Sequence, residues 1–155
     1  MKKTFLFVLI AIIFYGCTKS DPPYVATPLP TEWDFNGLPY NGITTTFKGN
    51  ILYTIDSLGE SVTIKFYAPP ATNGTYSVSN GYPTAPDYCE IILSGEIILN
   101  NPAPPFISTG YYSDKVIVTF LGDKISASFS SILLSNNIGS FPQNFAYISG
   151  TLIQQ

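Results

Sequence analysis

The stretch KVIVTFLGDKISASFS, residues 115–130, decides the fold. Apolar residues occupy every second position in 116–120 and again in 125–129, and Gly122-Asp123 lies between the two runs. An alternation with period two is typical of a half-buried strand, and a glycine-containing turn between two such runs is typical of a β-hairpin. Serine dominates the other face of the second run, at Ser126, Ser128 and Ser130, so we expect that face to contact water.

The same pattern recurs along the chain from Thr31 onwards. Asn36-Gly37, the strongest two-residue hairpin signal, separates two short runs. Besides the two strands of the 115–130 hairpin, the predicted strands are 32–35, 38–40, 43–48, 50–55, 61–68, 74–79, 88–99 and 145–153. About nine short strands with frequent turn signals predict an all-β fold for residues 31–155, either an antiparallel β-sandwich or a flattened β-barrel. Helices are expected to be short or absent.

The N-terminal residues have the composition of a targeting segment. Lys2 and Lys3 precede an almost uninterrupted apolar run that ends at Tyr15, and Gly16 then precedes Cys17. This run is too short to span a bilayer and matches a secretory signal peptide. The ending, a small residue followed by cysteine, resembles the lipobox of bacterial lipoproteins, although Phe14 and Tyr15 depart from it. This resemblance implies a lipoprotein signal at 1–16 and lipid attachment at Cys17, with ordinary secretory cleavage as the alternative.

A proline-rich stretch follows the cysteine. Residues 17–30 combine four prolines with small and polar residues, which favours an extended tether over a packed structure. At about 3.1 Å per residue, such a segment reaches roughly 40 Å from the lipid. The sequence therefore predicts three parts, which are the signal peptide at 1–16, the lipidated cysteine and tether at 17–30, and a single β-domain at 31–155.

Composition argues against several classes of function. The chain carries seven lysines, no arginine and ten acids, so it lacks the clustered basic surface that nucleic-acid binding needs. It has no histidine, the usual general base and metal ligand, and it has no phosphate-binding loop. We therefore predict no catalytic residues, no metal site, no cofactor and no nucleic-acid partner.

The remaining cysteine and the acidic pairs have structural interpretations. Cys89 lies in an apolar run and lacks an intramolecular partner if Cys17 is lipidated, so we expect a buried thiol and no disulfide. Asp56 with Glu60, and Asp114 with Asp123, lie at turns, where acids usually accept hydrogen bonds from the backbone.

Aromatic residues offer candidate contacts for a ligand. The chain has eleven tyrosines and eleven phenylalanines, enough to fill much of a core. The aromatic residues near turns or strand ends are Trp33, Tyr40, Tyr82, Tyr111 and Tyr112, and we predict these as candidate ligand-binding residues. Packing in the core or at its rim is the alternative for each of them.

Four segments carry a resemblance to a known group of proteins. They are PPATNGTYSV at 69–78, KVIVTF at 115–120, KISASFS at 124–130 and ISGTL at 148–152. Together they resemble small secreted lipoproteins of Bacteroidota that share a domain of unknown function, over residues 32–153. The resemblance implies an all-β envelope lipoprotein and carries over no active-site residue.

These observations together predict a non-catalytic lipoprotein of the cell envelope, anchored to the outer membrane by lipid, with a structural or protein-interaction role. A lipoprotein that binds a glycan or another small ligand through exposed aromatic residues is the alternative. The sequence leaves the periplasmic and surface faces of the membrane equally open.

Overall fold

The computed structural model describes residues 30–95, 105–111, 113–136 and 144–155. The strands are β1 (Thr31–Phe35), β2 (Leu38–Lys48), β3 (Ile51–Asp56), β4 (Ser61–Phe66), β5 (Gly74–Val78), β6 (Tyr88–Ser94), β7 (Phe106–Ser108), β8 (Lys115–Leu121), β9 (Lys124–Ser135) and β10 (Phe145–Ile153). The described residues contain no helix, and therefore none long and apolar enough to cross a membrane. The all-β fold class is confirmed. The predicted signal peptide, Cys17 and the tether as far as residue 29 lie outside the described residues, as does Tyr112.

The ten strands belong to one sheet that closes in a ring. The order runs β10-β1-β2-β3-β4-β6-β5-β8-β9, and β9 pairs with β10 to complete the ring. The short strand β7 also joins β6 to β9. A ring of this kind is consistent with both predicted forms, the sandwich and the flattened barrel. All pairs are antiparallel except β5 with β6, which are parallel and connected by residues 79–87.

The turns follow from local sequence. Asn36 and Gly37 both have positive φ, 51° and 82°, which is the conformation of the type I′ turn that twists in the same sense as its strands. The Asp34 carboxylate supports this turn by accepting a hydrogen bond from the Gly37 amide at 2.7 Å. The hairpin in residues 115–130 is confirmed, with Leu121 opposite Lys124 across the Gly122-Asp123 turn.

Some strand bounds differ from the predicted ones. The segments 38–40 and 43–48 form one strand, because the extra residue Ile43 is accommodated as a bulge between Gly42 and Thr44. Strand β9 continues past Ser130 to Ser135. Strand β7 is three residues long and was not predicted, since so short a segment has no readable alternation.

The inner face of the ring is the hydrophobic core. Its fully buried residues come from nearly every strand and include Leu52, Val62, Ile64, Phe66, Cys89, Ile91, Leu93, Val116, Ala127, Ile132, Leu134, Ile148 and Leu152. Cys89 is a buried free thiol, as expected from its apolar run. The prediction that Ser126 faces water is wrong, because this side chain is buried, whereas Ser128 is half-buried and Ser130 is exposed.

Candidate functional site

Two adjoining grooves cross the outer face of the sheet. One has a volume of about 320 Å³ and lies over β2, β1 and β10, and the other, of about 340 Å³, lies over β10, β9 and β8. Both are lined by Phe129, Gly150 and Thr151, so they form one continuous depression across five strands. We call this depression the trough. It is the candidate site, because it is a concave surface with polar side chains along its length.

The floor of the trough is a cross-strand row of backbone. Tyr40 lies opposite Trp33, Trp33 opposite Gly150, and Gly150 opposite Phe129. Trp33 and Phe129 belong to the core and Tyr40 packs against it, so their side chains leave the sheet on the inner face. Neighbouring residues in a strand point to opposite faces. The floor therefore consists mainly of peptide groups. The sequence neighbours of the floor residues, one on each side in every strand, point outwards and form the two walls.

One wall contains Asn41, Glu32, Thr151, Ser128 and Ile117, each opposite the next across neighbouring strands. The Ser128 and Thr151 hydroxyls are hydrogen-bonded to each other at 3.2 Å.

The other wall begins with Pro39, Asp34 and Ser149, which also lie opposite one another. It continues through Ser130 to Lys115. The two walls are rich in hydroxyl groups, and their charged residues are on β1 and β8.

A β-bulge shapes the middle of the trough. Between Phe129 and Ile132, strand β9 has two residues where β10 has only Ser149. The extra residue Ser131 has a φ of 52°, and its amide donates a hydrogen bond to the Ser149 hydroxyl at 2.8 Å. A bulge bends its strand and increases the local twist of the sheet. We attribute the curvature of the outer face here to this bulge.

Charge is distributed unequally along the trough. Glu32 and Asp34 lie at the β1 end, where the described lining residues include no lysine. Lys115 lies at the β8 end, and its ammonium donates a hydrogen bond to the Ser77 hydroxyl at 2.9 Å. Three strand spacings of about 4.8 Å separate β1 from β8, so the two charged ends are about 14 Å apart.

The predicted aromatic residues occupy three different settings. Trp33 is only 2% exposed and its ring stacks on that of Tyr40, with centroids 5.6 Å apart and planes 8° apart. The core-packing alternative therefore applies to Trp33, because its side chain lies beneath the trough rather than in it. Its indole N–H finds no hydrogen-bond acceptor among the described residues.

Tyr40, at the β1 end of the trough, lies near several negatively charged side chains. Burial raises the pKa of its phenol, and the charges of Glu60, Asp56 and Asp34 raise it further. The structure thus brings Trp33 and Tyr40 together, with acids on both sides of the sheet.

Tyr82 and Tyr111 are exposed, at 75% and 63%, and neither lines the trough. The Lys65 ammonium lies 3.4 Å from the centroid of the Tyr82 ring, within the range of a cation–π contact. None of the predicted aromatic residues lines the second groove. Trp33 and Tyr40 line the first groove through their backbone, because their side chains pack with the core.

Two of the buried acids, Asp56 and Asp114, accept hydrogen bonds from backbone amides. The Asp56 carboxylate accepts hydrogen bonds from the amides of Leu58 at 2.8 Å and Glu60 at 2.9 Å. The Asp114 carboxylate accepts one from the Leu133 amide at 3.3 Å. Both therefore hold the backbone, as expected for acids at turns. Over the described ranges, no group of three or more acids and cysteines is arranged to hold a metal ion.

Sequence reasoning missed the trough because the trough depends on register. The signal was present in the polar positions of TEWDF at 31–35, SASFS at 126–130 and YISGT at 147–151. Each segment alternates, but only the pairing of β1 with β10 and of β10 with β9 shows that their polar positions are neighbours. A comparison of the chain with protein-family models, curated proteins and solved structures finds no significant match.

Proposed function

We propose that the protein is a lipoprotein of the cell envelope, anchored to the outer membrane through lipid on Cys17, whose β-domain binds a partner protein and catalyses no reaction. The trough is the observation that carries this proposal, since it is an outward-facing depression of more than one side chain's volume whose walls carry polar side chains over a largely apolar surface. The apolar leader and the cysteine that follows it support the anchor.

The chemistry of the chain supports binding over catalysis. General acid–base catalysis most often uses histidine, which the sequence lacks. The trough instead offers hydroxyl, amide and carboxylate groups, which are suited to holding a polar segment by hydrogen bonds. An extended partner segment across the strands would contact both walls at once.

Crosslinking in intact cells tests the binding role. A photo-crosslinking residue at position 151, in the trough, is expected to capture one defined envelope protein. The matched control is the same residue at position 46, where Thr46 is exposed on β2 and outside the trough. Equal capture at both positions, or no capture at position 151, would contradict the proposal.

Metabolic labelling with a lipid precursor tests the anchor separately. We expect label on the wild-type chain, and no label on the Cys17→Ala variant, which should also leave the membrane fraction. Label that persists in Cys17→Ala would overturn the assignment of Cys17.

A glycan is the second candidate ligand. The hydroxyl groups of Ser128, Ser149 and Thr151 favour it, because sugar hydroxyls form hydrogen bonds with such groups. The aromatic side chains named above do not support it in the trough, since Trp33 and Tyr40 face inwards. An oligosaccharide array together with thermal shift measurements would decide, and a blank array without a rise in Tm would remove this candidate.

A further inference from the structure

We infer that the trough recognises an extended segment of the partner protein that carries a basic side chain, held by Glu32 and Asp34. The inference rests on the proposed protein-binding function and specifies the chemistry of the partner.

The dimensions suit an extended peptide. The trough crosses five strands, from β2 to β8, which corresponds to four spacings and about 19 Å. The two walls consist of residues two apart in each strand, so they are separated by about 6.7 Å. An extended chain advances about 3.3 Å per residue, and some six residues would therefore fill the trough.

The charge of the β1 end selects a cation. Glu32 is exposed and Asp34 half-exposed on the same face of β1, and Asn41 lies directly opposite Glu32. The Asp34 Oδ1 atom accepts a hydrogen bond from the Gly37 amide. The Asp34 carboxylate has further lone pairs that can accept hydrogen bonds from a ligand. The carboxylates of Glu32 and Asp34 and the side-chain carbonyl of Asn41 can accept hydrogen bonds from the several N–H donors of a lysine or arginine side chain.

Two further acids lie near Tyr40, at the same end of the trough. Asp56 and Glu60 are buried, and after burial itself their charges, with that of Asp34, raise the pKa of Tyr40. The negative potential therefore comes from both sides of the sheet. A cation approaching this end is attracted by the exposed carboxylates of Glu32 and Asp34, and an anion is repelled by them.

The opposite end sets the direction of the bound segment. Lys115, Ser113 and Ser130 line the β8 end, about 14 Å from Glu32 and Asp34. This distance corresponds to about four residues of extended chain. The preferred segment therefore carries its basic residue at one end and an acidic or hydroxyl residue four positions away.

Peptide binding by the full chain in detergent tests the inference. The probes are a fluorescent Lys-Ser-Thr-Ser-Asp peptide, the same peptide with glutamine in place of lysine, and chitohexaose as a neutral oligosaccharide. The lysine peptide is expected to bind about tenfold or more tightly than the glutamine peptide at low ionic strength. This preference should weaken in 0.5 M salt, because salt screens exposed charges.

Two matched variants identify the charges responsible. Glu32→Gln with Asp34→Asn removes two charges while preserving shape and the Asp34 Oδ1 acceptor for Gly37. Asp87→Asn with Asp123→Asn removes two exposed charges outside the trough. We expect the first pair to abolish the preference for lysine and the second pair to preserve it.

Several results would overturn the inference. They are equal binding of the two peptides, the absence of any peptide binding, an effect of similar size in both double variants, or binding of chitohexaose alone. The proposed function fails separately, when the crosslinker at position 151 captures no partner. If a partner is captured and its crosslinked segment lacks a basic residue, the inference fails while the proposed function stands.

Discussion

Gly150 of β10 and Trp33 of β1 lie directly opposite each other, so close that glycine alone fits. A Cβ atom on Gly150 would be 2.7 Å from the Trp33 Cβ and 2.7 Å from the Glu32 carbonyl oxygen. Real Cβ atoms almost never approach other atoms so closely. The contact brings the backbones of β10 and β1 together at the centre of the trough floor.

Gly150→Ala should therefore destabilise the fold. Backbone shifts that relieve an overpacked contact typically cost about 1–3 kcal/mol, which urea unfolding monitored by Trp33 fluorescence will measure. Gly74→Ala is the control, because its Cβ would lie at an ordinary 3.6 Å from the Tyr76 ring. If both variants lose the same stability, intrinsic strand propensity rather than close approach explains the loss.

A buried chain of threonine hydroxyls stabilises the other end of β1. The Thr31 hydroxyl is hydrogen-bonded to that of Thr45 at 2.8 Å, and the Thr45 hydroxyl donates to that of Thr54 at 3.1 Å. The Thr31 hydroxyl also accepts a hydrogen bond from the Ile153 amide at 2.9 Å. The C-terminal end of β10 is thereby held to β1 by a side chain as well as by the sheet ladder.

Thr31→Val keeps the shape of this side chain and removes its hydroxyl. The buried Ile153 amide then loses its acceptor, which costs about 1–3 kcal/mol of unfolding free energy. Thr46→Val, at an exposed position of β2, should change stability by less than about 0.5 kcal/mol. A Thr31→Val protein as stable as wild type would show that the hydroxyl chain contributes nothing net.

The sequence predicts the strands better than it predicts their arrangement. Alternation in 115–130 and the Asn36-Gly37 turn are local, and both hairpins form as expected. The ring also requires pairing between β1 and β10, which are more than a hundred residues apart in the chain. Such pairing follows from the whole set of strands and leaves no local signal, so sandwich and barrel could not be distinguished.

The candidate site was only partly predictable for the same reason. Aromatic residues near turns suggested ligand contacts, but Trp33 lies on the core face of a strand whose other face carries Glu32 and Asp34. Its position in TEWDF, alternating with two acids, was the available signal. The bulge at Ser131, which shapes the trough, has no recognisable signature in a run of serines.

Glu90 makes stability depend on pH. It is buried on β6, opposite Lys65 on β4, and burial raises the pKa of its carboxyl above the ordinary 4.5 despite the lowering effect of Lys65. An acid with a raised pKa in the folded state favours folding when it is protonated. Its contribution is therefore fully present below about pH 4.5 and is lost as the pH rises through the raised value.

Glu90→Gln removes this titration with little change in shape. The free energy of unfolding of the variant minus that of wild type is expected to be larger at pH 7.5 than at pH 4. Urea unfolding in buffers of constant ionic strength measures this difference. The same difference in stability at both pH values would contradict the assignment of the pH dependence to Glu90.

Cys89 provides a chemical probe of the core. Cys89 is on β6, between β4 and β5, its thiol is fully buried in the core, and burial raises the pKa of that thiol to about 12. The thiolate is the reactive form, and it is scarce at neutral pH when the pKa is so high.

With Cys17 replaced by serine, Cys89 is the single thiol and should react with an aromatic disulfide reagent only as fast as the domain opens. Reaction should become rapid in urea above the unfolding midpoint. A native-state rate close to that of a free thiol at pH 8 would show that β6 separates readily from β4 and β5, and that the core is open to solvent at Cys89.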